Sequence, residues 1–410
     1  MKSEKIKILK NFNYLIIIQV ATLLVPFIFY PYVIKLFGAS KYGELIFIQL
    51  LFSYVSIIID FGFNLSGPKY VSKNQKNIYK LSRYTSSVLL FKILVFLVSG
   101  IILFVSYIFS SDIIQYDVVI ILLVYLSLIH YVFNMQWLYQ GMEQIKIFAI
   151  INLISKMLLL LFIFSMVKST DDFLEFVIVI TIIPIVNSIF GYTYAINRFN
   201  LKNMFPNWKI VKNIVADSNV YFISRLSSIF ILKTTPVLIG FTLGTKFVAY
   251  YDLAEKIINV LLIPLHMLNQ VIYPYVVRTR NYNVVKKVIL FSFPISGMIS
   301  FVIFIFSSDI ITEFAGVNML PSVSLLSIFL FLLPINSISY FLGNCILIPK
   351  GKKNEFKNSV LYGLVGFLLY FSFIFAFDIK DLELYTLSVV LNSFLICMIR
   401  VYYSYRQLRV

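Results

Sequence analysis

Twelve apolar stretches constrain this 410-residue chain more than anything else in it. They lie at 12–34, 45–67, 86–110, 118–139, 147–167, 176–197, 218–243, 252–276, 288–308, 322–348, 358–377 and 384–400. A helix needs about 20 such residues to cross the hydrocarbon core of a bilayer. Lipid tolerates only helices and closed barrels, and these runs are too long and continuous for barrel strands. The sequence therefore predicts an all-α integral membrane protein with twelve transmembrane helices. The connections are short, so no soluble domain is expected on either side. The arm before the first run carries four lysines and resembles the start of a signal peptide, but no A-x-A cleavage site follows. It is read as leading into a retained first span.

Charge is scarce and lopsided. Only 13% of residues are charged, against about 25% in a soluble domain, and the net charge is +17. In a soluble protein that surplus suggests nucleic acid; here it sorts by side of the membrane. With the N-terminus in the cytoplasm, the inner segments hold 25 Lys and Arg against four acids, and the outer segments hold five against twelve. Positive residues collect on the cytoplasmic side, so both termini are expected inside. Cys345 and Cys397 sit in apolar runs and make no framework, and no Cys/His cluster has metal spacing.

The two halves echo each other. Leu36-Phe-Gly-Ala-Ser-Lys-Tyr-Gly-Glu44 parallels Phe241-Thr-Leu-Gly-Thr-Lys-Phe-Val-Ala-Tyr250. Asn13 and Asn219, Pro31 and Pro236, Pro68 and Pro274, and Gly141 and Gly351 recur in order at offsets of 205 to 210. That order indicates a duplication. Six helices per half give a parallel repeat about an axis along the membrane normal. The expected organisation is an N-terminal six-helix bundle at 1–200, a cytoplasmic linker at 201–217 and a C-terminal six-helix bundle at 218–410. Within the linker Trp208, Val211, Ile214 and Val215 share one helical face, opposite Lys209, Lys212 and Asn213, as in an interfacial helix.

Ionisable residues inside spans cost roughly 2.5–3.5 kcal/mol each on insertion scales, so they face cavities or partners. Five cations (Lys92, Lys156, Arg225, Lys233 and Lys256) stand against two anions, Asp60 and Glu255. Lys92, near the inner end of its span, is expected to snorkel. Lys256 either faces a cavity or pairs with Asp252 at i−4. Asp60 and Arg225 are within reach of the headgroups or of each other. Lys156 and Lys233 are deepest and have few acids to meet. His266, among Asn259, Asn269 and Gln270, is either a hydrogen-bonded core histidine or a proton relay. A cavity with surplus positive charge favours an anionic cargo, and phosphate or pyrophosphate suits Lys and Arg in low dielectric.

Four segments, taken together, resemble the Wzx-type flippases of O-antigen and capsular repeat units, in the superfamily that includes the multidrug and toxin extruders. They are Pro31-Tyr-Val-Ile-Lys-Leu-Phe-Gly-Ala-Ser-Lys-Tyr-Gly43, Asp60-Phe-Gly-Phe63, Gln136-Trp-Leu-Tyr-Gln-Gly-Met-Glu143 and Gly343-Asn-Cys-Ile-Leu-Ile-Pro-Lys-Gly-Lys352. The resemblance implies a V-shaped fold of two six-helix bundles in the bacterial cytoplasmic (inner) membrane. It implies a transporter rather than an enzyme, moving an undecaprenyl-pyrophosphate-linked oligosaccharide from the inner to the outer leaflet by alternating access. Lys156, Arg225 and Lys233 would hold the pyrophosphate, while Asp60, Glu255, Lys256, His266, Asn259, Asn269 and Gln270 are candidates for cavity contacts or coupling. The wider superfamily suggests H+ or Na+ coupling, but no residue here matches a coupling motif; no cofactor is expected. Expected partners are the lipid-linked oligosaccharide, the bilayer, a polysaccharide polymerase and a chain-length regulator, with no nucleic acid. The rival readings are a multidrug exporter of the same fold, which calls for acidic cavity residues, and an O-antigen polymerase, which calls for a large basic outer loop.

Overall fold

A peptide group in lipid finds no hydrogen-bond partner except along its own helix, and the computed structural model follows that rule. It describes residues 2–109, 117–202, 204–205 and 208–408, without the side chains of 2–20, 23, 209, 220–221, 223–225, 227–229, 231 and 407–408. Among the described residues every regular element is helical, and ten helices are long and apolar enough to cross a membrane. The first of these, Leu24–Asn74, joins the second half of the first expected span to the whole of the second in one run. The seventh expected span lies in α9.

In chain order the helices are α1 (Lys2–Asp60), α2 (Phe63–Asn74), α3 (Ile78–Phe109), α4 (Val118–Ser127), α5 (Ile129–Phe133), α6 (Gln136–Gly141), α7 (Ile145–Met166) and α8 (Phe173–Arg198). Then follow α9 (Trp208–Thr242), α10 (Thr245–Thr279), α11 (Tyr282–Ile305), α12 (Ser307–Ala315), α13 (Ser322–Phe329), α14 (Leu332–Tyr340), α15 (Lys353–Ala376) and α16 (Leu382–Leu408). Between α14 and α15 the chain makes a π-helical turn, Phe341–Leu347. The helix expected at the linker is present but not separate. It is the first part of α9, with Val211 and Ile214 buried and Trp208 exposed.

The chain forms two compact units. Unit 1 is Met1–Phe29 with Ile48–Ile229, and unit 2 is Tyr30–Phe47 with Phe230–Val410. In unit 1, α2 packs on α6 and α8 packs on α4, α5 and α7. Trp137, Tyr139 and Phe63 are fully buried at the centre of one cluster. Gly67 lets the backbone of α2 lie against the Trp137 indole, which a Cβ there would meet at 2.9 Å. In unit 2, α15 packs on α16, α11 on α14, and α10 on α13.

The repeat seen in the sequence is visible in the backbone of the two halves of the chain. Gly38 (φ 73°, ψ 173°) breaks α1, and Gly244 (φ 108°, ψ 163°) precedes α10 in the same conformation, which a side chain would strain. The fourth span of each half is interrupted: α4, α5 and α6 in one, α13, α14 and the π-helical turn in the other. The turns that follow share one hydrogen-bond pattern. Met142 N donates to Leu138 O (2.9 Å), Glu143 N to Gln140 O (3.1 Å) and Gln144 N to Tyr139 O (2.8 Å). In unit 2, Lys350 N donates to Ile346 O (3.1 Å), Gly351 N to Ile348 O (3.0 Å) and Lys352 N to Leu347 O (2.9 Å), all 208 residues on.

Candidate functional site

The Asp60-Phe-Gly-Phe63 segment breaks the second span. Phe61 (φ 41°) and Gly62 (φ 74°) leave the right-handed region, so α1 ends at Asp60 and α2 starts at Phe63. The break exposes the end of α1 to side-chain partners. Asp60 is 5% exposed and accepts a hydrogen bond from Asn64 Nδ2 at 2.6 Å. Phe61 stacks on Phe222 of α9 at 4.3 Å. The side chain of Arg225 lies outside the described residues, and so does any pairing of it with Asp60.

Lys92 is corrected by the structure. It does not snorkel: it is 1% exposed and its Nζ donates to the Tyr131 carbonyl at 3.0 Å. The cause is local. α5 ends at Phe133, and Asn134 turns extended (ψ 116°), so the carbonyls of the last turn lose their helical donors. Lys92 answers one of them. The neighbouring His130 places Nδ1 3.1 Å from the Pro184 carbonyl of α8. The charges of Lys156 and Lys92 both act on that imidazole. Lys156 is half-buried on α7, one turn beyond Asn152, and has no hydrogen-bond or ion-pair partner among the described residues. Asn152 accepts from Asn187 Nδ2 at 3.4 Å.

Lys256 of unit 2 sits beside an acid. Lys256 contacts the Asp252 carboxylate one turn before it on α10, donates to Tyr42 Oη (2.6 Å) and lies 3.5 Å from the Tyr30 ring. Tyr42 in turn donates to Asp252 at 2.7 Å. The pairing alternative raised by the sequence is thus the one realised for Lys256. Glu255 is half-buried and feels the charges of Lys233, Asp252 and Lys256. Lys233 is half-buried on α9.

The polar residues of α10 do not form one set. Asn259 is exposed, Gln270 half-buried and Asn269 buried. Asn269 Oδ1 accepts from Asn344 in the π-helical turn at 3.3 Å. His266 stacks on Tyr340 with ring centres 4.7 Å apart.

Arg400, the last residue of the apolar stretch 384–400, is not among the candidates the sequence singles out. It is 8% exposed. Its Nη1 donates to Ser339 O (3.1 Å) and Ser339 Oγ (3.0 Å), its Nε donates to Ser359 Oγ (3.2 Å), and its guanidinium lies 4.7 Å from the Phe356 ring. The available signal was an arginine inside the apolar run Cys397 to Tyr403. In sum, unit 1 gathers Lys92, His130 and Lys156, and unit 2 gathers Lys233, Glu255, Asp252 and Lys256.

Comparison with known proteins agrees with the helical membrane fold. A protein of Escherichia coli (strain K12) whose name proposes O-antigen transport is 24% identical over 379 residues, covering 90% of this chain and 91% of its own length. The structure of the lipid II flippase MurJ in an inward closed conformation matches with a TM-score of 0.72 at 14% identity, over 94% of this chain and 87% of that one. The inward-facing structure of a multidrug resistance MATE family transporter of the MOP superfamily matches with a TM-score of 0.67 at 12% identity, over 96% and 98%. At such identities the two structures speak for the fold. The family described as polysaccharide biosynthesis protein matches residues 8–280. This multi-pass membrane chain belongs to that polysaccharide biosynthesis protein family.

Proposed function

We propose that the chain is a flippase. It carries an undecaprenyl-pyrophosphate-linked oligosaccharide repeat unit from the inner to the outer leaflet of a bacterial cytoplasmic membrane by alternating access. The observation that carries this reading is Lys156: a half-buried cation on a membrane helix, close enough to a second buried lysine for both to act on one histidine, with no carboxylate paired to it among the described residues. Such a charge is costly to hold in lipid and is answered by an anionic cargo. Lys156, Arg225 and Lys233 are the proposed pyrophosphate ligands. Lys256 is set aside because Asp252 already neutralises it and Tyr42 accepts from it. The bundles at 1–200 and 218–410 and the cytoplasmic placement of both termini belong to the same proposal. The relatives named for O-antigen transport and lipid II flipping support a lipid-linked cargo.

The test is complementation of a flippase-null strain, read as surface polysaccharide at matched protein level. Lys156→Ala is expected to lower it at least about tenfold, a loss of roughly 1.4 kcal/mol of cargo interaction. Lys256→Met should fold less well but, where protein levels match, transport normally. Full complementation by Lys156→Ala, Arg225→Ala and Lys233→Ala alike would remove the cationic site.

A further inference from the structure

Unit 1 contains a cavity of about 720 Å³ that the proposed transport site does not use. It lies between α2, the start of α3 and the start of α9. Lys69 and Lys73 line one side. They are four residues apart on α2 and so share a face, both are exposed, and neither has an ion-pair partner among the described residues. Asn213 and Asp217 line the opposite side from successive turns of α9, and Asp217 likewise has no ion pair among the described residues. Tyr70 and Tyr84 contribute a flat apolar surface, their rings stacked 4.0 Å apart at 13°. A hydrogen bond of 2.8 Å between the buried hydroxyls of Ser66 and Ser218 joins α2 to α9 beside it.

These groups ask for a ligand with two chemistries. Two ammonium groups on one wall, without a carboxylate between them, are a phosphate site. A carboxylate and an amide on the facing wall accept and donate to hydroxyls, since an ionised Asp is acceptor only. The stacked tyrosines suit the carbon face of a polyol. The cavity also sits at the end of unit 1 where Lys69, Lys73, Lys76, Lys80, Arg83 and Lys146 collect, the end that the Lys/Arg bias assigns to the cytoplasm. Basic pockets between membrane helices on that side take anionic lipid heads.

We propose that this cavity binds the phosphate–polyol head of an anionic lipid, with Lys69 and Lys73 on the phosphate and Asp217 and Asn213 on the hydroxyls. The site does not depend on the cargo assignment. The full chain, purified in detergent, is offered phosphatidylglycerol, phosphatidic acid and phosphatidylethanolamine, and bound lipid is read by native mass spectrometry. Phosphatidylglycerol should be retained at least about tenfold over phosphatidylethanolamine. The double variant Lys69→Ala/Lys73→Ala should lose that preference. Asp217→Asn should lose the preference for phosphatidylglycerol over phosphatidic acid while still retaining the latter. Lys76→Ala/Lys80→Ala, equal in charge but outside the cavity, should bind as the unaltered chain does. Equal loss in the two lysine pairs would reduce the effect to bulk charge and overturn the site. Binding of sn-glycerol 3-phosphate by calorimetry, with no retained lipid, would assign the same chemistry to a soluble ligand and overturn the lipid.

Discussion

The two interrupted fourth spans meet the same need with different side chains. In unit 1 the Tyr131 carbonyl receives Lys92 from α3 at 3.0 Å. In unit 2 the carbonyl 208 residues on, Ser339, receives Arg400 from α16 at 3.1 Å. Both carbonyls stand where the helical ladder is interrupted, by an extended Asn134 in one unit and a π-helical turn in the other. A buried carbonyl without a donor is expensive, so each unit supplies a cation. The helix that supplies it is not the corresponding one. What the duplication kept is the backbone vacancy, while the side chain that fills it was found separately in each half.

The remedies are unequal, and stability measurements on purified variants can show by how much. Arg400 offers a planar fork to three oxygens, so Arg400→Ala should cost about 4 kcal/mol, with Arg400→Lys recovering part. Asp252→Ala leaves Lys256 beside two tyrosines without its carboxylate. That should cost about 3 kcal/mol, and adding Lys256→Met should restore most of it. Lys92→Met should cost about 2 kcal/mol. If it costs as much as Arg400→Ala, the two cations are equivalent and the contrast between the units fails.

Smaller effects sharpen the comparison at the shared turn. Glu143 (φ 58°) and Gly351 (φ 78°) occupy the same left-handed position, so the counterpart of Gly351 is Glu143 and not the Gly141 that the sequence suggests. Gly351→Ala should therefore lose about 1 kcal/mol, while Glu143→Gly should be close to neutral. The smallest effect lies outside the membrane. Asp172, before α8, accepts from the amides of Lys168 and Ser169, both at 2.7 Å, and those bonds hold its carboxyl below the usual range. Its contribution is present above the ordinary Asp value, near 4, and fades as pH falls through the lowered one. Protection of those two amides from hydrogen exchange, taken relative to their intrinsic rates, should fall only in that acid range, and Asp172→Asn should flatten the dependence.

The helices, their order and the repeat were legible because lipid makes apolar length a sufficient signal. The interruptions were not. Phe61-Gly62 carried a glycine that could have marked the break, but the gap at Leu128 has neither glycine nor proline. The misplacement of Lys92 follows from that omission: with an intact helix there is no carbonyl for it, and snorkelling is the sensible expectation. Arg400 stands at the end of its apolar stretch, where an arginine can reach water, so nothing local marks it as buried. Lys256 could be foreseen, since Asp252 stands four residues away on the same helix. Tyr42, which completes that cluster, comes from 210 residues earlier, and no local pattern announces it.

Tyr30–Phe47 belongs to unit 2, although the residues on both sides of it belong to unit 1. Domains commonly fold in the order of their synthesis. That route is closed to this molecule. The ribosome delivers an early piece of the later unit, including the Tyr42 that Asp252 and Lys256 require, before most of the earlier unit exists. The piece must stay uncommitted in the bilayer until α10 arrives. A gene divided within 201–217 would leave the second product without it, so two half-proteins could regain function only by association. Unit 2 is begun almost first and completed last.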